Sequence, residues 1–349
     1  MTPLAHQLQI ALRAREPLFD ARHEAAFRLF NGFTEGCPSL AADLYAESLV
    51  LHDYADEAQT GADIVSEAQA VYRAHLPWLR AILVKTRGAR DRHERNGTIA
   101  FGDAPNHWVR EQDVRYAIDL TLNRDASLYL DTRNVRAWAR ESLHAATVLN
   151  TFAYTGSLGV AAQAGGAKRV VHLDLNRQFL NVAKTSYTLN GFAIHKPDFI
   201  AADFWPAISR LKRSGDLFDC IFLDPPFFSV TPKGALDMTG DITRLINKVR
   251  PLIRDGGALV VINNALFMSG ADMLRELDTL CTDGYLGIER TIPVPDDFTG
   301  YAHTRVFPQL PAGEGGHDSH SPYPVSPAPF NHPTKIVVLR VRHTSPARD

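Results

Sequence analysis

The stretch "VLNTFAYTGSLGVAAQAGGAKRVVHLDLN", from Val148 to Asn176, decides how this chain is read. It opens as an apolar strand and runs into a turn at Tyr154-Thr155-Gly156, where helical spacing begins. A second apolar run over Arg169–Asp174 ends on a carboxylate, eighteen residues beyond Gly156. The G-x-G-x-x-G fingerprint of dinucleotide-binding turns is missing here. A glycine at the turn still permits close backbone approach, and the first amides of the following helix form a cradle for an anionic or carboxylate-bearing ligand. Asp174, at the tip of the next strand, is placed to accept hydrogen bonds from both hydroxyls of a ribose.

Working outward, strands and helices alternate. A helix over 132–143 leads into strand Thr147–Thr151, then helix Ser157–Ala164, strand Arg169–Asp174 and helix Arg177–Leu189. Strand 199–202, helix 205–212, strand Phe218–Leu223, helix 241–253 and strand 257–262 continue the rhythm. Such alternation predicts an α/β, doubly wound parallel sheet. "IERTIPV" and "KIVVLRV" have no good helix between them and predict a final antiparallel pair. The intervening 307–334 holds seven prolines and reads as loop. Its histidines His317, His320 and His332 lack a regular ligand scaffold, so no metal site is expected.

Two more strand tips carry candidate groups. Asp203 follows "FIAAD", where a carboxylate can bond the exocyclic amine of adenine, and "CIFLDPPFFS" puts Asp224-Pro225-Pro226-Phe227 straight off an apolar strand. Each has a plainer reading. Asp203 could cap the helix beginning near Trp205, and two prolines could simply stop a strand. The order and spacing of all four sites at the carboxyl ends of successive strands favour a ligand site, because open α/β sheets bind ligands there.

With these residues in place, the chain resembles class I S-adenosylmethionine-dependent methyltransferases. More narrowly, "FRLFNGFTEGCPSLAADLYAESLVLH", "LYLDTRNVR", the opening stretch and "FDCIFLDPPFFS" are similar to the RlmI/RlmK-type bacterial 23S ribosomal RNA methyltransferases, over roughly residues 27–341. The resemblance implies a seven-stranded Rossmann-like methyltransferase domain over 126–349, preceded by a small α+β substrate-recognition domain over 1–125. It implies S-adenosyl-L-methionine as cofactor and RNA, ribosomal in the relatives, as substrate. Phe152, Tyr154, Thr155 and Gly156 would line the methionine part. Asp174, with Leu175 beside it, would hold the ribose and Asp203 the adenine. Asp224 and the Pro225-Pro226 carbonyls would edge the target base, and Arg133 of "LDTR" would close over the cofactor.

The chain departs from that family in two places. RlmI-type members carry an N-terminal PUA domain, and none is expected in the residues before Phe27. Cytosine-methylating members place a cysteine beyond the fifth strand, where this chain reads "INNALFMSG", with Asn263 and Asn264. A cytosine C5 acceptor needs a cysteine nucleophile; Cys220 lies within the fourth strand and Cys281 in a predicted helix, so direct transfer to a base nitrogen is expected. Phe227 or Phe228 could stack on the base, against the alternative of core packing. The rival readings are a small-molecule or protein methyltransferase, a cytosine-C5 enzyme, a non-catalytic RNA-binding platform, and a nicotinamide oxidoreductase lacking its glycine fingerprint.

The rest of the chain sets bounds. Among 349 residues, 45% are apolar and 22% charged with a net charge of −2, so the molecule as a whole is no generic polyanion binder. Three dispersed cysteines, Cys37, Cys220 and Cys281, read as reduced thiols of a cytoplasmic protein. No window approaches a membrane-spanning apolar run. Monomer and homodimer both stay open. In residues 1–125 the spacing predicts one or two leading amphipathic helices to about Phe30, a strand at 48–54, a helix over 62–75 and a strand in "LRAILVKTR". The run "KTRGARDRHER", Lys85 to Arg95, carries five basic and two acidic side chains and is a candidate phosphate contact or a solvated loop. "TIAFGD", "HWVREQ" and "VRYAIDL" read as short hairpin strands.

Overall fold

The computed structural model describes residues 2–226, 228–231, 234–265, 268–306 and 334–343. The chain divides into two units, one ending at Asp131 and joined by the segment that starts at Pro295, the other running over Thr132–Val294 and completed by the C-terminal strand. The sequence reading divides the chain at 125/126 and leaves the Pro295 segment with the second domain. Contacts carry both 126–131 and that segment into the first unit. Tyr45 Oη donates to the Leu128 carbonyl (3.0 Å) and Lys85 Nζ to the Asn123 carbonyl (2.8 Å), which fixes the connecting stretch.

The first unit contains α1 (Pro3–Ala14), β1 (Ala26–Asn31), α2 (Gly32–Glu35), β2 (Leu40–Tyr45), β3 (Ser48–Asp53), α3 (Ala58–His75), β4 (Ala81–Thr86), α4 (Arg92–Asn96) and β5 (Thr98–Phe101). Five strands pair in chain order β1-β2-β3-β4-β5; β3 and β4 are parallel across the α3 crossover, and every other pair is antiparallel. β6 (Trp108–Glu111) and β7 (Val114–Ala117) form a separate hairpin. Phe27, Leu29, Leu40, Ala42, Leu44, Leu49 and Leu51 pack on Leu8 and Leu12 of α1 and Ala68 and Tyr72 of α3. The second expected leading helix is absent: after Pro17 the run Ala26–Asn31 becomes β1, because pairing with β2 buries Phe27 and Leu29 at period two. The "TIAFGD" strand pairs with β4 instead of with the hairpin.

A buried guanidinium locks this unit. Arg15 Nη1 and Nη2 grip the Glu35 carboxylate at 2.9 and 3.0 Å. Its remaining protons go to the carbonyls of Ala11 (3.0 Å), Arg28 (2.6 Å) and Asp297 (2.8 Å). Asp297 lies in α11 (Asp296–Thr299), and its Oδ2 accepts from the Arg28 amide at 2.9 Å. Strand β1 thus donates a hydrogen bond to a segment some 270 residues away in sequence (|i−j| 269).

The second unit holds α5 (Arg133–Ser142), β8 (Thr147–Thr151), α6 (Ser157–Ala164), β9 (Arg169–Asp174), α7 (Arg177–Leu189), β10 (Phe199–Ala201), α8 (Phe204–Ser214) and β11 (Phe218–Leu223). β12 (Phe228–Thr231), β13 (Gly234–Asp237), α9 (Met238–Val249), β14 (Ile253–Asn263), α10 (Gly270–Cys281), β15 (Leu286–Thr291) and β16 (Lys335–Val341) follow. Seven strands pair in the order β10-β9-β8-β11-β14-β16-β15, with β16 antiparallel to both neighbours. The predicted doubly wound sheet and its final antiparallel pair are both present. The β12–β13 hairpin, absent from the sequence reading, sits between β11 and α9. Leu149, Val171, Ile221, Leu259, Val261 and Leu339 form the sheet side of a core covered by α8 and α9 through Ile208, Leu211, Leu245 and Ile246.

Replacing Glu35 by alanine strands the buried Arg15 guanidinium. The expected cost is about 3–5 kcal/mol, since removing one partner of a buried ion pair leaves an uncompensated charge. Denaturant unfolding of Glu35→Ala against wild type measures it, and a cost below about 1 kcal/mol would show that water reaches Arg15.

Candidate active site

Strand order reverses between β8 and β11, the switch point at which doubly wound sheets leave a crevice. Register fixes what meets there. Thr151 pairs with Leu173 on one side and with Leu223 on the other, while Ala201 pairs with Asp174. Phe152, Asp174 and Asp224 are therefore the first residues past, or the last residue of, adjacent strands. Asp203 lies two residues beyond Ala201, and Asn263 ends β14, two residues past the Val261 that pairs with Leu223. Phe152, Tyr154, Thr155, Gly156, Asp174, Leu175, Asp203, Asp224, Pro225 and Pro226 share one rim of the sheet. Phe227 lies outside the described residues, as do the histidines of 307–333.

The turn after β8 is made of unusual backbone. Phe152, Tyr154 and Gly156 all have positive φ, at 52°, 49° and 78°. For the two aromatic residues this conformation costs on the order of 1 kcal/mol each and persists only where the surroundings impose it. Those surroundings are visible. The Ala153 amide donates to the Leu173 carbonyl at 2.9 Å, and the Tyr154 amide donates to Asp174 Oδ2 at 2.8 Å. Phe152 stacks on Phe204 of α8 (centroids 4.8 Å apart), and Tyr154 meets Phe179 of α7 edge-on at 4.6 Å.

Glycine is required beneath the turn. A Cβ on Gly156 would come within 2.6 Å of the Ala183 Cβ, and one on Gly159 within 2.4 Å of His172 Cε1. His172 is the pillar on which this turn rests, and the sequence reading missed it. The only signal was one polar residue inside the apolar run "RVVHLD". Its Nε2 meets the Tyr187 hydroxyl at 3.1 Å, and its ring stacks on Phe199 at 5.0 Å. Burial pushes its imidazole down to about 3, so it is neutral at physiological pH.

Asp174 accepts from the amides of Tyr154 and Asn176, each at 2.8 Å. Burial pushes this carboxyl above its ordinary range, and the two amides oppose that shift. A partly desolvated carboxylate with two of its roughly four lone-pair sites engaged gains most from further donors such as hydroxyls. Leu175 beside it is 64% exposed, an apolar side chain left in water at the rim. Asp203 caps α8, accepting from the Trp205 amide at 3.0 Å. The plainer reading of Asp203 is therefore realised, which leaves its other oxygen for a ligand. Asp224 is half-buried, Pro225 buried and Pro226 exposed, and Arg133 opens α5 half-buried.

The basic run Lys85–Arg95 serves mainly structure. Lys85 is buried and donates to the carbonyls of Asn96, Asn123 and Asp125. Arg95 donates to the carbonyls of its own loop, Ala89 and Arg90, while Arg90 and Arg92 stay exposed. Cys220 is buried in mid-strand between Val148 and Ala258, and burial pushes its thiol well up. Among the described residues, no group of three or more His, Cys, Asp or Glu could hold a metal ion, and no helix is long and apolar enough to cross a membrane.

A parallel sheet with an antiparallel penultimate-position strand, and acidic groups at successive strand tips beside a glycine turn, define the class I methyltransferase architecture. The family model for S-adenosylmethionine-dependent methyltransferases matches residues 86–299, and the chain belongs to that family. It is similar to the ribosomal RNA large subunit methyltransferase I of Aeromonas salmonicida, with 31% identity over 225 residues, 64% of this chain and 57% of that protein. It is also similar to the ribosomal RNA large subunit methyltransferase K/L of a Psychrobacter species, with 38% identity over 162 residues, 45% of this chain and 20% of that protein. The chain thus spans little more than half of the first relative. Among solved structures, that of SMU.776 complexed with SAH superposes with a TM-score of 0.79, at 19% identity, covering 97% of this chain and 81% of that one.

The rim fits the family's cofactor on its own terms: a strained turn with a glycine where no Cβ fits, a partly desolvated carboxylate and an exposed leucine beside it. The His172 pillar supplies a test. Below about pH 6.5 the unfolded chain binds a proton that the folded imidazole refuses until about pH 3. Stability resting on neutral His172 is therefore complete above pH 6.5 and is lost as pH falls through that window. Between about pH 7 and pH 5 wild type should lose about 2 kcal/mol more than His172→Gln in urea unfolding. Equal losses would mean that His172 is protonated in the folded protein.

Proposed function

We propose that this protein transfers a methyl group from S-adenosyl-L-methionine to a base nitrogen of RNA, by direct displacement and without a covalent cysteine intermediate. The observation that carries this reading is the single rim on which Tyr154, Asp174, Asp203 and Asp224 stand around the switch point. When bound, the cofactor supplies an electrophilic methyl on a sulfonium. The residues of the chain then have to hold, orient and exclude water. Phe152, Tyr154, Thr155 and Gly156 line the methionine portion, Asp174 accepts from the ribose hydroxyls, Leu175 covers a ring face and Asp203 accepts from the adenine amine. Arg133 closes over the cofactor. Asp224 and the carbonyls of Pro225 and Pro226 accept from an amine or ring edge of the target base, with Phe227 as a stacking partner. Alignment of acceptor and methyl can supply several kcal/mol of the barrier.

The nitrogen acceptor is supported by the cysteines. Cys220 is fully buried in mid-strand, and Asn263 stands at the strand end where cytosine-C5 enzymes of the family carry a thiol. RNA as the substrate is supported by the two ribosomal RNA methyltransferase relatives. A second reading, a small-molecule or protein substrate, is favoured by the internal use of Lys85 and Arg95, which removes cations from the surface. Nucleoside mass spectrometry of ribosomal RNA incubated with the protein and cofactor tests the RNA reading. A new methylated nucleoside supports it, and turnover confined to small molecules overturns it. RNA methylation should also fall steeply with salt.

Two variants separate the roles. Asp174→Ala should weaken cofactor binding by about 10–100-fold in calorimetry, because a charged acceptor is lost. Asp224→Ala should instead lower kcat with cofactor affinity nearly unchanged; equal losses in both would move Asp224 out of the acceptor pocket. Cys220→Ser should retain turnover, whereas a folded but inactive variant would restore the covalent route.

A further inference from the structure

One end of the first unit's sheet carries a half-buried row of aromatic and cationic side chains. Strands β1, β3 and β4 run in the same sense, so the residues that follow them meet at one end of the sheet. Phe33 follows β1, Tyr54 follows β3 and Arg87 follows β4. Phe33 and Tyr54 meet edge-on with centroids 5.1 Å apart, and the Arg87 guanidinium carbon stands 5.6 Å from the Tyr54 centroid. All three are half-buried. Two aromatic rings and a planar cation thus make a row that stays partly in water.

Beneath the row lies a buried charged network. Arg28 Nε and Nη2 bond the two oxygens of Asp43 at 2.7 and 3.0 Å, and His52 Nε2 meets Asp43 Oδ2 at 3.1 Å. The His52 ring lies 6.3 Å from the Tyr54 ring. His52 is only 6% exposed, yet its Nδ1 has no hydrogen-bond partner among the described residues, and neither has Arg87 Nε. The large majority of buried side-chain polar atoms are hydrogen-bonded, so an idle acceptor and an idle donor beside one aromatic row point to a ligand. With Nε2 directed at Asp43, the neutral ring presents a lone pair at Nδ1. Arg87 Nη1 is held by the Arg124 carbonyl at 2.7 Å and pairs with Asp125 Oδ1 at 3.4 Å, which fixes the guanidinium and leaves its Nε as the idle donor, and Arg124 itself is exposed.

We infer that the Phe33–Tyr54–Arg87 row, with His52 and Arg87 as hydrogen-bonding groups, is a stacking platform for a single-stranded stretch of the RNA substrate. Aromatic rings and a guanidinium accept any base face. The Arg87 Nε–H suits a phosphate or base carbonyl oxygen, and His52 Nδ1 suits a base N–H. This inference rests on the RNA reading above and assigns named residues to the substrate recognition expected of the first unit, separate from the residues of the methyl-transfer rim.

The test is fluorescence anisotropy of the full-length protein with a labelled, unstructured oligoribonucleotide of about twelve nucleotides. Tyr54→Ala and Phe33→Ala should each weaken binding by about 5–100-fold, from the loss of one stacked base. Tyr54→Phe should stay within about twofold, since the ring remains, and Arg87→Gln should weaken binding and flatten its salt dependence. Calorimetric binding of S-adenosylmethionine, unchanged in each variant, shows that the chain is folded. If wild type binds the oligonucleotide and all three disruptive variants bind it equally well, the platform is refuted and the RNA reading stands. If wild type binds the cofactor and no RNA at low salt, both are overturned together.

Discussion

The hydrogen bond from the Tyr154 amide to the Asp174 carboxylate is the constraint on which the candidate site depends. It ties the turn after one parallel strand to the tip of the next and holds two aromatic residues at positive φ. The bond can form only because Gly156 and Gly159 let the turn and α6 settle against His172, with no room for a Cβ at either position. His172 in turn is fixed by Tyr187 and Phe199, so a chain of packing runs from α7 to the rim. A polar residue at the centre of β9 is an expensive choice for a strand buried on both faces. Its consistency with a neutral, hydrogen-bonded ring explains why the fold can carry it.

Elsewhere the structure uses buried cations as clasps for backbone carbonyls. Arg15 gathers α1, β1 and the distant Asp297 carbonyl around Glu35. Lys85 holds the connecting stretch through the Asn123 and Asp125 carbonyls. Lys335 of β16 donates to the carbonyls of Ala265 and Met268, at 2.6 and 2.7 Å, in the loop leaving β14. Burial pushes both ammonium groups down to about 8. Each still gains carbonyl acceptors that a loop would otherwise leave to water, and each fastens a segment that has no helix or strand of its own. Ala265 stands two residues past Asn263, the end of β14, so Lys335 fastens backbone beside the rim from far along the sequence.

Much of the second unit was legible because its signals are local. Thr147–Thr151, Ser157–Ala164, Arg169–Asp174, Arg177–Leu189 and Phe218–Leu223 begin and end where sequence spacing puts them, since Gly156, the Asn176 cap and continuous apolar runs mark those boundaries within a few residues. What stayed illegible depends on partners remote in the chain. The run Ala26–Asn31 has apolar residues that fit a helix or a strand, and only β2 and Asp297 decide the matter. Lys85 itself looks like a surface phosphate contact until Asn123 and Asp125 are brought to it. His172 carries no motif at all, and its role is set by two glycines that precede it by sixteen and thirteen residues.

The rim carboxylates explain how one sheet edge can serve both stability and binding. Asp174 is held by two amides and Asp203 by the Trp205 amide that it caps. Each side chain has therefore lost its rotamer freedom during folding, before any ligand arrives. A flexible carboxylate would give up about 0.5–1.5 kcal/mol of side-chain entropy on binding, and a pre-fixed one avoids that loss. The same bonds leave part of each carboxylate's accepting capacity unused. Helix capping and ligand recognition are thus compatible uses of one group, so finding Asp203 as a cap does not remove it from the candidate site. Capping makes it a better-placed acceptor than a free side chain on a loop would be.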